Sequence, residues 1–224
     1  MEKAKLIYVF DAYCSWCYGF GPVVENVIEK FSDDLDSEVI SGGMIQEDIP
    51  LRQMADRFPD PESVFGRITQ MTGQSISPQY IEMLRNPDDV EYTFNSIYPA
   101  RALSTLKHFS PNRNIEQANS IQDLIFKQAK DLTKTNSYKK VAEKFGIEWP
   151  AFVHRLESEK SLEDARYEFH LSRQLEVTSY PAVFIQTGDQ YFYLIARGYT
   201  AYEDMEKRVL NILQEEKTKK SPEA

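Results

Sequence analysis

The chain of 224 residues is 42% hydrophobic and 12% aromatic, and its formal net charge is −9. This composition supports a folded core and excludes disorder over most of the length. The negative charge disfavours nucleic acid and anionic membrane surfaces as partners. No segment reaches the apolar length of a membrane span, and the amino terminus lacks the apolar core of a secretory signal. We therefore expect a cytoplasmic protein that does not contact membranes.

The two cysteines, Cys14 and Cys17, lie between a predicted buried strand at residues 6–10 and a predicted helix that includes residues 23–31. Side chains three residues apart in a first helical turn are neighbours, so the two sulfurs could close a disulfide. Cys14 would also meet the free N–H groups and the positive dipole end of the helix, which favour thiolate over thiol. The spacing predicts a redox pair, with Cys14 as the nucleophile and Cys17 as the resolving thiol.

Two other interpretations of the cysteine pair have to be weighed. The pair could be half of a zinc site, but a structural zinc normally has four ligands, and His108, His154 and His170 are scattered along the chain. The cysteines could also be inert core residues, although their position at the start of a helix argues against this. We expect the redox role, with neither a metal nor another cofactor.

A second strand is predicted at residues 38–40, followed by Gly42 and Gly43. The paired glycines indicate a turn or a close approach of the backbone to another group. Strand, helix and strand in this order form a βαβ unit, which is expected to be right-handed. Pro22 falls inside the intervening helix and should kink it.

Strand signals nearly vanish between residues 50 and 160. Helical periodicity is clearest at residues 115–132, and further helices are predicted at 137–145, 152–156 and 161–175. Prolines punctuate much of this region, so several short helices are expected rather than a few long ones.

Strands return at residues 182–185 and 191–195, and a turn at 188–189 should join them into an antiparallel hairpin. A last helix is predicted at 201–214, and the charged tail at 217–224 should be frayed. Pro181 directly precedes the first of these strands, which makes it a candidate cis-proline.

This order of elements resembles the thioredoxin fold. In that superfamily, the loop before the cis-proline lies against the reactive disulfide and offers backbone groups to the substrate. The resemblance implies substrate contacts at Trp16, Tyr180 and Pro181. The long helical stretch resembles the insertion of the DsbA-like branch. The expected fold class is therefore α/β, a thioredoxin-like fold with a large all-helical insertion.

Residues 11–19, the Gly42-Gly43-Met44 segment and residues 95–102 resemble the FrnE-type cytoplasmic branch of the DsbA-like family. This branch is related to the kappa-class glutathione transferases and the 2-hydroxychromene-2-carboxylate isomerases. The resemblance implies a thioredoxin-like domain formed by residues 1–48 and 161–216, a helical insertion at 49–160 and a tail at 217–224. It also implies a dithiol–disulfide oxidoreductase that acts on disulfides of proteins or small thiols.

The sequence differs from two groups of relatives at the cysteine motif, from one at the first cysteine and from the other at the two residues between the cysteines. The transferases and isomerases carry serine at the position of Cys14, which makes glutathione-dependent transfer or isomerisation the alternative enzymatic function. Periplasmic DsbA-like proteins usually carry proline and histidine where this chain has Ser15 and Trp16. An uncharged pair stabilises the thiolate less, so we do not expect a strong oxidant. A non-enzymatic, thioredoxin-like adaptor is the third possibility, and no oligomeric state is predicted.

Asp11 and Trp16 each have two possible roles. Asp11 could accept a proton from Cys17 or cap the following helix, and we favour the cap because aspartate is common there. Trp16 could face the substrate or pack over the disulfide.

Other polar and aromatic candidates lie beside the cysteines and in the helical region. Tyr13 and Tyr18 flank the cysteine pair and could bind substrate, although aromatic residues beside an apolar strand usually belong to the core. The family resemblance alone implies that Asn95 and Arg101 face the active site.

Overall fold

The computed structural model describes residues 3–188 and 190–220. Its elements follow in chain order, apart from a 3₁₀ turn at Thr135–Tyr138: β1 (Ala4–Phe10), α1 (Ser15–Lys30), β2 (Leu35–Ser41), β3 (Ile49–Pro50), α2 (Leu51–Ala55), α3 (Pro61–Thr72), α4 (Pro78–Arg85), β4 (Thr93–Phe94), α5 (Ile97–Phe109), α6 (Asn114–Phe126), α7 (Lys139–Lys144), α8 (Trp149–Glu157), α9 (Glu159–Gln174), β5 (Ala182–Thr187), β6 (Tyr191–Arg197) and α10 (Tyr202–Lys220).

The main sheet has the strand order β2-β1-β5-β6. Strand β1 pairs in parallel with β2 and antiparallel with β5, while β5 and β6 form an antiparallel hairpin. This confirms the predicted βαβ unit and the predicted hairpin, although residue 189 of its turn lies outside the described residues. The expected thioredoxin-like fold class with added helices is confirmed.

Both faces of β1 are buried, which explains why its sequence is a continuous apolar run rather than an alternating one. Leu6, Tyr8 and Phe10 belong to the large core cluster, together with residues of α1. Ile7 and Val9 face the opposite side and belong to a smaller cluster that packs against α9. The strand is therefore held between two helical layers, and the chain leaves it directly into the cysteine motif.

Helix α1 begins at Ser15, so the cysteine motif forms its first turn as predicted, and Pro22 lies in its interior as expected. Its N-cap is Cys14, and no side chain caps it. The usual polar N-cap signal is therefore missing, and in the sequence the start of this helix is marked by the cysteine motif alone.

The helix predicted at 115–132 is too long at its carboxyl end, because α6 ends at Phe126. Ala129 adopts a left-handed φ of 49°. The N–H groups of Ala129 and Lys130 bond to the carbonyls of Ile125 and Leu124 at 2.9 and 2.8 Å. The bond from the left-handed Ala129 to the Ile125 carbonyl, four residues back, is that of an αL helix ending, formed here without glycine. Leu132 is buried beyond the end of the helix, so its apolar side chain fitted the spacing of one further helical turn although the residue is not helical.

The remaining helical region contains two further differences from the predictions. The segment predicted as a helix at 137–145 begins as the 3₁₀ turn and continues as α7. A two-residue ladder, β3 with β4, pairs Ile49 with Phe94 and has too short a pattern to be recognised in sequence. The helices predicted at 152–156 and 161–175 correspond to α8 and α9.

The last helix, α10, continues to Lys220 instead of ending at residue 214. Residues 217–220 are therefore helical rather than frayed, and residues 221–224 of the predicted tail lie outside the described residues. No helix in the described ranges is long and apolar enough to cross a membrane.

Candidate active site

Cys14 occupies the boundary between the chain leaving β1 and the first turn of α1. Its backbone is extended, with φ −82° and ψ 108°. Its N–H donates to the carbonyl of Asp11, and its own carbonyl accepts the N–H of Tyr18, both at 3.1 Å. The side chain takes the place where serine or aspartate would accept a bond from the free N–H groups of the helix. The sulfur therefore belongs to the residue at the amino-terminal end of the helix.

The two cysteines are free thiols in different surroundings. Cys14 is 8% exposed, whereas Cys17 is fully buried one turn further into the helix. Burial raises the pKa of the Cys17 thiol well above its ordinary value, and its hydrogen bond and charge interaction with Cys14 raise it further. Only Cys14 reaches the surface, as expected for the attacking member of a pair.

The peptide bond between Tyr180 and Pro181 is cis, as the order of elements predicts. The carbonyl oxygen of Tyr180 accepts a hydrogen bond from the Cys14 thiol, at a sulfur–oxygen distance of 3.6 Å. The carbonyl of Pro181 accepts the N–H of Gly198 at 2.7 Å, which ties this loop to the end of β6. The structure therefore brings Tyr180 and Pro181 to the cysteine motif.

The paired glycines after β2 support this loop through a close contact with Tyr180. The Tyr180 hydroxyl donates to the carbonyl of Gly42 at 2.8 Å. A Cβ atom on Gly42 would lie only 2.0 Å from the Tyr180 ring. Gly43 has a positive φ of 70°, which glycine adopts without strain. The predicted close approach of the backbone at this position is confirmed.

Asp11 is buried beside the cysteines and does not cap α1. Its carboxylate accepts the N–H of Tyr13 at 3.0 Å and the N–H of Met44 at 2.8 Å. Burial raises the pKa of Asp11, and the Met44 N–H opposes this rise. The predicted capping role is wrong, because the carboxylate bridges the cysteine segment to the loop after β2 instead of binding the helix.

Tyr8 is a site residue that the sequence did not reveal. It is fully buried in β1, and its hydroxyl donates to the carbonyl of Cys17 at 3.1 Å. Burial raises the pKa of Tyr8, and the charge of Cys17 raises it further. In the sequence, a tyrosine within an apolar strand is indistinguishable from any other core aromatic.

The aromatic residues of the cysteine motif have different environments. Trp16 is half-buried, with its ring centroid 6.4 Å from that of Tyr199. Tyr13 packs edge-on against a core phenylalanine, and Tyr18 stacks on Phe126. Burial raises the pKa of Tyr18 to about 12. Tyr13 and Tyr18 are therefore core residues, whereas Trp16 remains accessible at the rim.

The two candidates from the helical region are engaged in local contacts. Arg101 donates to the Ser161 hydroxyl at 3.0 Å and to the Leu156 carbonyl at 2.7 Å, so it joins α8 to α9. The expectation that it faces the cysteines is wrong. Asn95 donates to Asp48 and accepts the N–H of Ile97, at 2.8 and 2.9 Å, beside the start of α5.

Ser96 and Gln122 are polar residues of the helical region that contact the site. The Ser96 hydroxyl accepts the N–H of Ile45 at 3.0 Å and lowers the pKa of Asp11. Gln122 donates to the carbonyls of Asp11 and Cys14. Neither residue belongs to a sequence motif, because both act through contacts that only the folded chain creates.

Within the described ranges, no group of three or more histidine, cysteine, aspartate or glutamate side chains is placed to hold a metal ion. The polar groups around the cysteine pair are a tyrosine hydroxyl, a carboxylate and backbone carbonyls.

The profile of the DSBA-like thioredoxin domain matches residues 5–209. The chain belongs to this family. The match covers the sheet, the cysteine motif and the helical region, so it confirms the DsbA-like resemblance expressed by the motifs. No curated protein matches the sequence significantly.

Solved structures of DsbA-like proteins share the fold over nearly the whole chain. A protein from Nitrosomonas europaea, provisionally assigned as a protein disulfide isomerase, is 24% identical with a TM-score of 0.81, covering 96% of this chain and 99% of that one. The cytosolic disulfide reductase DsbM from Pseudomonas aeruginosa is 20% identical, with a TM-score of 0.75 and coverages of 94% and 98%. A 2-hydroxychromene-2-carboxylate isomerase is 14% identical, with a TM-score of 0.62 and coverages of 97% and 100%.

Proposed function

We propose that this DsbA-like chain is a thiol–disulfide oxidoreductase that reduces or isomerises disulfides of proteins or small thiols. The observation that carries the proposal is the placement of Cys14. Its sulfur lies at the start of α1 and contacts the carbonyl of Tyr180, while Cys17 is buried one turn below. A slightly exposed thiol at a helix start beside a fully buried second thiol is the arrangement that disulfide exchange requires.

In the reducing direction, the Cys14 thiolate attacks one sulfur of the substrate disulfide. A Cys14–substrate mixed disulfide forms, and the other substrate sulfur leaves as a thiolate and takes up a proton. Cys17 then loses its proton and attacks the Cys14 sulfur, which releases the second substrate thiol and leaves a Cys14–Cys17 disulfide. Two electrons pass from the protein to the substrate, and an external thiol must return them.

The second step needs an acceptor for the proton of Cys17, because burial holds that thiol in its protonated form. Asp11 is buried nearby and its charge raises the pKa of Cys17, so we assign it this role.

We assign substrate contacts to Trp16, Tyr180 and Pro181. Trp16 supplies a half-buried aromatic surface, and the loop of Tyr180 and Pro181 lies against the attacking sulfur. We also propose that residues 49–160 are an insertion into a thioredoxin-like domain formed by 1–48 and 161–216.

The context favours the reducing direction in the cytoplasm. DsbM is described as a cytosolic disulfide reductase and has also been solved with GSH. The fold shared with an isomerase supports glutathione-dependent isomerisation as the second candidate. The presence of Cys14, where those relatives have serine, favours disulfide exchange over that alternative.

The test compares the wild type with Cys14→Ser and Cys17→Ser in the reduction of insulin and of glutathione disulfide. We expect wild-type turnover, no turnover with Cys14→Ser, and a trapped mixed disulfide with Cys17→Ser, detected by intact mass. Equal turnover by Cys14→Ser and the wild type would refute the assignment. A wild type without exchange activity that still binds a partner protein would favour the adaptor interpretation.

A further inference from the structure

Gln122 connects the helical region to the backbone around the attacking cysteine. It lies in α6 and is fully buried. Its side-chain Nε2 donates to the carbonyl of Asp11 and to the carbonyl of Cys14, each at 3.2 Å. We propose that Gln122 is a positioning residue for the reaction of Cys14, an inference that rests on the proposed function and deepens it.

The two carbonyls that Gln122 bridges define the turn that carries the thiol. The Asp11 carbonyl also accepts the N–H of Cys14, and the Cys14 carbonyl accepts the N–H of Tyr18, the first bond of α1. Gln122 therefore fixes both ends of the short segment between β1 and the helix. Among the described residues, no other side chain donates hydrogen bonds to both of these carbonyls.

The orientation of the amide follows from its partners. Both hydrogens of Nε2 are used by carbonyl oxygens, and exchanging the amide nitrogen and oxygen would place Gln122 Oε1 against two other acceptors. In the observed orientation, Oε1 is buried without a hydrogen-bond partner. An unpaired buried oxygen destabilises the fold, so what the amide contributes here is its pair of donated bonds.

These bonds act on the sulfur through the backbone. Carbonyl oxygens carry partial negative charge, which opposes a negative charge on a nearby sulfur, and each donated hydrogen bond offsets part of it. The bonds also hold the extended conformation of Cys14, which sets the direction of its side chain. Without them, the thiolate is less favoured and the attacking sulfur is less well placed.

Gln117 provides a matched control in the same helix. It is also fully buried, and its Nε2 also donates to two carbonyls, those of Leu106 at 3.2 Å and Ser110 at 2.6 Å. Its Oε1 is likewise buried without a partner. Gln117 differs in its target, because it holds the end of α5 rather than the cysteine segment.

The experiment places Gln122→Met and Gln117→Met separately in the full chain with Cys17→Ser, so that Cys14 is the thiol that reacts. Iodoacetamide alkylation is followed against pH, and urea unfolding is measured for each variant. We expect similar losses of stability for the two variants. Gln122→Met alone should move the alkylation profile to higher pH and react about tenfold more slowly at neutral pH, the effect of about one lost hydrogen bond. Gln117→Met should match the parent.

Identical alkylation profiles for the two methionine variants would overturn the proposal. If Gln122→Met does not fold, Gln122→Glu replaces it, because a buried neutral carboxyl keeps the shape and can donate one of the two bonds. Its alkylation should be slower than that of the parent, and a parental rate would again contradict the role of Gln122.

Alkylation needs no disulfide substrate, so this proposal and the proposed function fail in different ways. An active wild type with an unchanged Gln122→Met profile removes the positioning role alone. An inactive wild type whose alkylation still depends on Gln122 removes the oxidoreductase assignment and keeps the effect of Gln122 on Cys14.

Discussion

At the scale of single residues, the site depends on the different burial of two cysteines that are only three positions apart. Cys14 lies at the surface edge of a helix start, and Cys17 is enclosed by the core beneath it. Their spacing and the following helix were enough to predict which of the two thiols is the more exposed. Sequence could not show that Tyr8 bonds to the Cys17 backbone or that Asp11 binds Met44, because those partners meet only in the folded chain.

Gly42 is the residue whose substitution most directly disturbs the loop against Cys14. In Gly42→Ala, the new methyl group would overlap the Tyr180 ring, so the ring and the carbonyl that contacts Cys14 have to move. We expect the free energy of unfolding to fall by about 1–3 kcal/mol, as is typical for overpacking. Disulfide exchange should slow together with it, as measured by insulin reduction.

Gly66 is the control for this substitution, because a Cβ there meets no atom within 4 Å. It lies in the interior of α3, where alanine is favoured over glycine by about 0.5–1 kcal/mol. Gly66→Ala should therefore be slightly more stable with unchanged exchange. Wild-type exchange by Gly42→Ala would show that the contact with Tyr180 does not position the loop.

At the scale of elements, Lys107 of α5 holds β2 and α9 together. Its ammonium bonds to the Val39 carbonyl at 2.8 Å, to the Glu168 carboxylate at 2.9 Å and to Glu38. Glu168 is buried and also accepts the N–H of Ser41 at 2.8 Å. The helical region is thus joined to the strand that leads into the paired glycines.

Lys107→Met should lower the free energy of unfolding by about 3 kcal/mol, because it leaves the buried Glu168 carboxylate without its cation. Urea unfolding measures this loss, and the double variant Lys107→Met/Glu168→Gln should recover part of it. Lys134→Met removes a long ion pair, 3.9 Å, between a mostly exposed lysine and Asp131, and should cost less than about 1 kcal/mol. Equal small losses for the two lysines would contradict a structural role for the buried pair.

The elements also show which features of local structure can be recognised from short sequence patterns and which cannot. The strands were predictable because continuous apolar runs bounded by turns are distinctive. The end of α6 was not, because Ala129 replaces the glycine of the usual ending. Arg101 was misassigned because a charged helical residue does not reveal its partner.

At the scale of the whole molecule, one core cluster extends from the sheet into the helical region and contains many aromatic residues. Five of its buried tyrosines have pKa values raised chiefly by burial: Tyr8, Tyr13, Tyr80, Tyr92 and Tyr138. The thioredoxin-like order of elements was predictable from sequence, whereas this shared core requires knowledge of how distant segments pack.

The tyrosines predict a steep loss of stability in alkali. Above pH 10 or so, the unfolded chain loses tyrosine protons that the folded chain retains, so stability falls as pH rises. Well above pH 10, each buried tyrosine lowers the stability by at most about 1.4 kcal/mol per pH unit, and the five together by at most about 7 kcal/mol per pH unit. Urea unfolding between pH 8 and 11 measures this slope, which Tyr80→Phe should reduce by one tyrosine's share. A flat profile above pH 10 would contradict the buried, protonated state of these side chains.

The reduction potential of the Cys14–Cys17 pair, measured by equilibration with glutathione buffers, tests the proposed oxidoreductase most directly. We expect a single two-electron transition that is absent in Cys14→Ser. Because Ser15 and Trp16 bring no cation to the thiolate, the potential should lie closer to the value of thioredoxin, about −270 mV, than to that of DsbA, about −120 mV. A potential near −120 mV would contradict a reducing role in the cytoplasm, and no transition at all would contradict a redox-active pair.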